Sequence, residues 1–178
     1  MATYRRRLPA TSSTIPTRVL LICGAALIAA SVWLVLEGRA RAAGVTVGLA
    51  GVAGIAGGRF AIWNDDGLSR LFDPLLDRVF DGAVLGAIAW AERDAHPAEA
   101  AGALVALGAS YLSSYVRARG ASLGYDVQES SVTRGSRYAL IAAGLGFGWL
   151  GWSVWAAAAL AVLASLIRSI QVAKEELL

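Results

Sequence analysis

The stretch Leu71-Phe72-Asp73-Pro74-Leu75-Leu76-Asp77-Arg78-Val79-Phe80-Asp81-Gly82-Ala83-Val84 runs directly into an apolar segment that ends near Ala91. Its three aspartates recur every four residues. On a helix successive members lie about 40° apart around the axis, so they form one acidic stripe. Carboxylates at the mouth of an apolar segment are costly unless they are paired, wetted or bound to a cation. Asp73 and Asp77 are spaced to chelate one divalent ion, with Asp81 one turn further on. The same spacing also suits ordinary helix ion pairs, Arg70 with Asp73 and Arg78 with Asp81.

The chain around this stripe is too apolar for a soluble domain. Of its 178 residues 57% are hydrophobic and only 16% charged, with a mean hydropathy of +0.58, a balance expected of an integral membrane protein. Cys23 is the one cysteine. That excludes a disulfide framework or a thiolate metal site, and its apolar neighbours predict a small buried hydrophobe. His96 has no second histidine at ligand spacing, which argues against histidine-dependent zinc or triad chemistry. The net charge of +3 comes almost wholly from arginine, and no stripe of bases interleaved with aromatics supports nucleic-acid binding.

Reading outward, Val19 to Leu36 is uncharged and long enough to cross a bilayer. It follows a basic start, Tyr4-Arg5-Arg6-Arg7-Leu8-Pro9. Glu37-Gly38-Arg39 is a poor cleavage site, so the run reads as a retained span behind a polar tail of residues 1–16. Further spans are expected from Ala42 to Gly58, from Asp73 to Ala91 and from about Ala98 to Val116. The uncharged stretch from Tyr138 to Ile167 is too long for one helix and breaks naturally at Gly148-Trp149-Leu150-Gly151-Trp152. The sequence therefore predicts an all-α integral membrane protein with six transmembrane helices over 17–178.

With both termini cytoplasmic, Arg5, Arg6, Arg7, Arg18, Arg59, Arg70, Arg78, Arg117, Arg119, Arg134, Arg137, Arg168 and Lys174 fall inside. Arg39, Arg41 and Arg93 fall outside, as the positive-inside rule expects. The acidic stripe and the later arginine clusters then share one cytoplasmic face. The six tryptophans fall mostly near predicted span ends. The small-residue run Gly48-Leu-Ala-Gly51-Val-Ala-Gly54-Ile-Ala-Gly57-Gly58 predicts close helix packing.

Carboxylates one turn apart hold magnesium or manganese, and nearby arginines receive phosphate, so the face suits phosphoryl transfer on a lipid-linked nucleotide. The order of residues sharpens this. Leu71 to Val84 resembles the second half of the CDP-alcohol phosphatidyltransferase signature, Asp-x2-Asp-Gly-x2-Ala-Arg-x8-Gly-x3-Asp-x3-Asp. Ser114-Tyr115-Val116-Arg117-Ala118-Arg119, followed by Leu123-Gly124, is similar to the Ser-Tyr-x-Lys-Ala-Arg segment of that family's actinobacterial phosphatidylinositol phosphate synthase branch. Thr133-Arg134-Gly135-Ser136-Arg137 resembles the branch's Glu-Arg-x-Glu-Arg. The resemblance covers most of the chain from the second span onward.

The resemblance implies the six-span family fold, a homodimer, and a magnesium- or manganese-dependent site where four aspartates bind two cations. Asp73 and Asp77 match the third and fourth aspartates, with Asp77 as general base. Arg59 would serve the nucleotide, and Arg117, Arg134 and Arg137 the acceptor phosphate. The first half of the signature is altered: Gly51 and Gly54 stand at the first two aspartates, Ile55 at the glycine, Gly58 at the alanine and Ser69 at a later glycine. Asn64-Asp65-Asp66-Gly67-Leu68-Ser69-Arg70 partly resembles the missing half, and reads either as a source of ligands from Asp65 and Asp66 or as a solvated turn. The expected function is transfer of a phosphatidyl group from CDP-diacylglycerol to a phosphorylated polyol such as inositol phosphate, releasing CMP, at the cytoplasmic face of the cell membrane. The alternative is a homologue that acts without catalysis as partner or regulator of an active synthase.

Overall fold

The computed structural model describes residues 15–63, 67–125 and 131–176, and the side chains of 19–57, 75–125 and 135–173. It is all helical: α1 (Ile15–Leu36), α2 (Ala40–Trp63), α3 (Gly67–Glu92), α4 (Pro97–Ser122), α5 (Ser131–Phe147) and α6 (Leu150–Glu176). The helices match the six expected segments, most reaching further at one or both ends. α3 begins before the aspartate stripe, which therefore lies within a helix. Proline opens α4 at a position where no intrahelical N–H bond is lost.

The expected break in the last apolar stretch falls at Gly148-Trp149. Gly148 takes the left-handed conformation (φ 77°), and the Trp149 N–H reaches back to the Gly144 carbonyl at 2.9 Å. That geometry satisfies the last carbonyls of α5 and turns the chain into α6. Gly38 closes α1 in the same way, with Arg39 N–H bonded to the Leu34 carbonyl at 2.9 Å.

The helices pack as a ring in which each touches two neighbours in the order α1, α2, α5, α6, α4, α3, and α2 also touches α3 across it. Small and branched side chains fill the seams. Val47 of α2, Val84 and Ile88 of α3, Ala103 and Ala106 of α4 and Val154 and Ala157 of α6 are fully buried. The outside is apolar too: Leu49 and Val52, Leu104 and Leu112, and Trp152, Leu163 and Ile167 are exposed. α1 over Val19–Leu36, α2 over Ala40–Gly57 and α6 over Leu150–Ala173 are long and apolar enough to cross a membrane. Cys23 corrects an expectation, since it is exposed on this apolar outer face of α1 rather than buried. Trp33, Trp90, Trp149, Trp152 and Trp155 are all exposed.

The glycine run of α2 divides by environment. A Cβ on Gly51 would lie 2.8 Å from Tyr138 Cβ and 3.0 Å from its Cγ, so the absent side chain lets α2 and α5 meet. A Cβ on Gly54 would meet nothing within 4 Å. We expect Gly51→Ala to lower stability by about 1–3 kcal/mol through overpacking. Gly54→Ala should be neutral or stabilising by up to about 1 kcal/mol through helix propensity. Thermal melts in detergent compare the two, and equal effects would contradict the packing difference.

Candidate functional site

Among the described residues α3 and α5 do not touch as helices, and polar side chains bridge the space between them. Asp77 is 4% exposed and Asp81 1% exposed. The Tyr138 hydroxyl donates to Asp77 Oδ1 at 2.5 Å, and Arg137 Nη2 approaches Asp77 Oδ2 at 3.4 Å. Arg78 Nη2 also donates to Asp77 Oδ2 and lies 3.2 Å from Asp81 Oδ2. Arg137 Nε stands 3.0 Å from Asp81 Oδ1, an ion-pair contact rather than a directed hydrogen bond.

Ser110 of α4 ties these charges together. Its hydroxyl donates to Asp81 Oδ2 at 2.5 Å and accepts from Arg78 Nη1 at 2.7 Å and Arg137 Nη1 at 2.9 Å. Arg78 Nη1 also donates to the Ser110 carbonyl at 2.8 Å, and the Tyr111 hydroxyl donates to the Arg78 carbonyl at 2.9 Å. Beyond Ser110 opens a cavity of about 30 Å³ lined by Arg78, Arg137, Arg168, Ser110, Ser113 and Ser114, with alanines and Leu160 of α6 as its apolar wall. Arg168 is 8% exposed, and its Nη1 donates to Ser113 Oγ at 2.6 Å. Three guanidiniums therefore line this cavity, two of them also engaged with Asp77 and Asp81. Charge-assisted donors backed by hydroxyls are the groups that bind phosphate oxygens.

A second cleft of similar size lies on the other side of Asp77, between α1, α2 and α3. Leu20, Leu21, Ile28, Leu76 and Phe80 line it, and Gly54 forms part of its wall. Asp77 therefore stands between an arginine–serine cavity and an apolar cleft.

Of the residues singled out from sequence, the structure brings Asp77 and Arg137 together. The ion pair of Arg78 with Asp81 is present, but buried rather than on a solvated face. Arg117 is half-buried on α4 and does not line the cavity. Asp65 and Asp66, and the side chains of Arg59, Asp73 and Arg134, lie outside the described residues. Sequence reading missed the parts played by Ser110, Ser113, Tyr138 and Arg168. Arg168 carried a signal, being the only charge in the apolar window Leu150–Ala173 before Lys174. Ser110, Ser113 and Ser114 share one helical face at spacings of three and four.

The described residues do not supply a two-cation centre. Gly51 and Gly54 offer no ligand from α2, and the Asp77 and Asp81 carboxylates are held by guanidinium, phenol and serine donors. A hard divalent ion needs about six oxygen ligands. A separate acidic group, Glu92, His96 and Glu99, lies at the α3–α4 turn with potential ligand atoms within 4.8 Å of one another. There His96 Nδ1 is 2.7 Å from Glu92 Oε2, and this hydrogen bond raises the pKa of His96 above its ordinary value.

The apolar exterior and the three helices long enough to span a bilayer mark a helical membrane protein with a charged cluster inside the ring. The comparisons with known proteins are consistent with this and narrower: the chain resembles a member of the CDP-alcohol phosphatidyltransferase family. It is 32% identical over 136 residues to the phosphatidylinositol phosphate synthase of Corynebacterium glutamicum, an alignment covering 74% of this chain. The chain spans 62% of that relative's length. No family model and no solved structure matches it.

Two outcomes test the electrostatics. Asp81→Ala leaves Arg137 and Arg78 short of a buried partner and should cost about 3–5 kcal/mol, read as a lowered melting temperature; an unchanged melt would show the pairs to be dispensable. His96 should titrate above its ordinary pKa in an NMR pH series and fall back in Glu92→Gln. Because its folded pKa is raised, its small contribution to stability is present below the unfolded pKa of 6.5 and disappears as pH rises through the folded value.

Proposed function

We propose that the chain is a phosphatidyltransferase that passes a phosphatidyl group from CDP-diacylglycerol to a phosphorylated polyol such as inositol phosphate, releasing CMP. The observation that carries this reading is the cavity in which Arg78, Arg137 and Arg168 converge with three serines beside Asp77. The related Corynebacterium synthase supports the substrate class. On this reading the acceptor phosphate sits against Arg137 and Arg168, and the Ser113 and Ser114 hydroxyls fix its orientation. The acceptor hydroxyl then meets Asp77 in place of the Tyr138 hydroxyl at Oδ1. Its oxygen bonds to the phosphatidyl phosphorus, the bond from that phosphorus to CMP breaks, and the acceptor proton passes to Asp77. The apolar cleft lined by Leu20, Leu21, Ile28 and Phe80 provides the side from which a lipid donor approaches.

All six helices are proposed to cross the cell membrane with both termini cytoplasmic. The short turns after α1, α3 and α5 would then lie outside, with Arg39, Arg41 and Arg93 on that side and the other arginines inside. As the family resemblance implies, the protein would act as a homodimer.

CMP release by the purified chain, supplied with CDP-diacylglycerol and candidate acceptors, tests the activity. Inositol phosphate should be turned over and unphosphorylated inositol should not. Arg168→Ala should raise KM for the phosphorylated acceptor about 10–100-fold, the cost of one charge-assisted hydrogen bond, and Asp77→Ala should abolish release. No turnover with any acceptor, beside an active relative assayed in parallel, would overturn the reading.

A further inference from the structure

We propose that Asp77 is closed to divalent cations in this chain, the Tyr138 hydroxyl and the Arg78 and Arg137 guanidiniums holding its carboxylate where a metal-dependent relative would hold an ion. The first support is the set of donors on the carboxylate. Tyr138 donates to Oδ1 at 2.5 Å, and Arg78 and Arg137 both engage Oδ2. An incoming dication would have to displace these donors and then stand beside two guanidiniums that cannot lose their charge.

The neighbouring carboxylate offers no help. Asp81 is engaged by Arg137 at 3.0 Å, by Arg78 at 3.2 Å and by Ser110 at 2.5 Å. Among the described residues both carboxylates are thus engaged by the same two guanidiniums, which repel an incoming dication. An octahedral or larger oxygen shell is also missing from the facing helix, where Gly51 and Gly54 bear no oxygen on a side chain.

Gly51 and Tyr138 are two sides of one arrangement. With α5 where it stands, a side chain at 51 would begin 2.8 Å from Tyr138 Cβ and 3.0 Å from Cγ, both atoms fixed close to the α5 backbone. A carboxylate reaching in from position 51 and the present seat of α5 therefore exclude one another. Glycine at 51 lets α5 approach, and the approach brings the phenol onto Asp77. Phe80 packs edge-on against the Tyr138 ring, with centroids 4.2 Å apart, and keeps it there.

This inference concerns the site of the proposed transferase but is read without turnover, so either can fail alone. Mn2+ titration of the purified full chain, followed by the electron paramagnetic resonance signal of free Mn2+, compares wild type with Asp77→Asn. The expected result is equal binding, including any at Glu92, His96 and Glu99; Mn2+ bound by wild type and lost in Asp77→Asn overturns the proposal. A second measurement avoids dependence on the fold of that variant. In wild-type protein labelled with 3-fluorotyrosine, the Tyr138 fluorine resonance, assigned with Tyr138→Phe, should keep its shift in saturating diamagnetic Mg2+. A displaced Tyr138 resonance would show the phenol driven off Asp77 and overturn the proposal.

Discussion

The charged bridge between α3 and α5 is the constraint around which the rest of the ring is arranged. The two helices do not meet directly, and the space between them is spanned by Asp77 and Asp81 from one side and Arg137 and Tyr138 from the other. Ions removed from water this completely are tolerable only when each finds a partner and its remaining hydrogen-bonding positions are filled. Arg78 and Ser110 supply most of those partners, Arg137 Nε keeping only its ion-pair contact with Asp81, and in doing so draw α4 to the same centre. One cluster thus fixes the relative positions of three helices, whereas the apolar seams between adjacent helices tolerate interchange of similar side chains.

The distribution of polarity follows from the same requirement. In a lipid surrounding, an apolar exterior gains nothing by turning inward, so close association rests on packing of small residues and on internal polar contacts. The ring meets both conditions, with Gly51 admitting α5 to α2 and the arginine–carboxylate cluster holding the interior. A cavity beside this cluster inherits its chemistry without further specialisation. Arg168 contributes a third guanidinium, held by Ser113, so that the cavity wall is rich in charge-assisted donors.

The sequence was most legible where periodicity and charge speak along one helix. The apolar runs announced all six helices, and Gly148 marked the final hairpin because a left-handed residue was needed there. The aspartate stripe and Arg137 stood out through their spacing and order, and Asp77 and Asp81 do meet Arg137. Tyr138 and Ser110 did not stand out, because their meaning depends on which helix faces which: Tyr138 is 61 residues from Asp77 and Ser110 is 29 from Asp81. Cys23 was misread for a related reason, since in an apolar helix hydrophobic surroundings in sequence do not distinguish the bundle interior from its lipid-facing side.

Gly51 and Gly54 illustrate how one sequence observation separates into two physical ones. Both stand where a carboxylate-bearing signature would place aspartates, and from sequence they count equally as missing ligands. In the ring Gly51 is a contact, its bare backbone pressed against Tyr138, whereas Gly54 borders the open apolar cleft with no atom near its absent side chain. Replacing Gly54 adds a group to empty space. Replacing Gly51 adds an atom 2.8 Å from Tyr138 Cβ, a contact that cannot stand without a shift at the residue that donates to Asp77. The α2 side of the centre is therefore held in its present form by the packing of one residue, and the charge balance around Asp77 depends on that packing as much as on the arginines themselves.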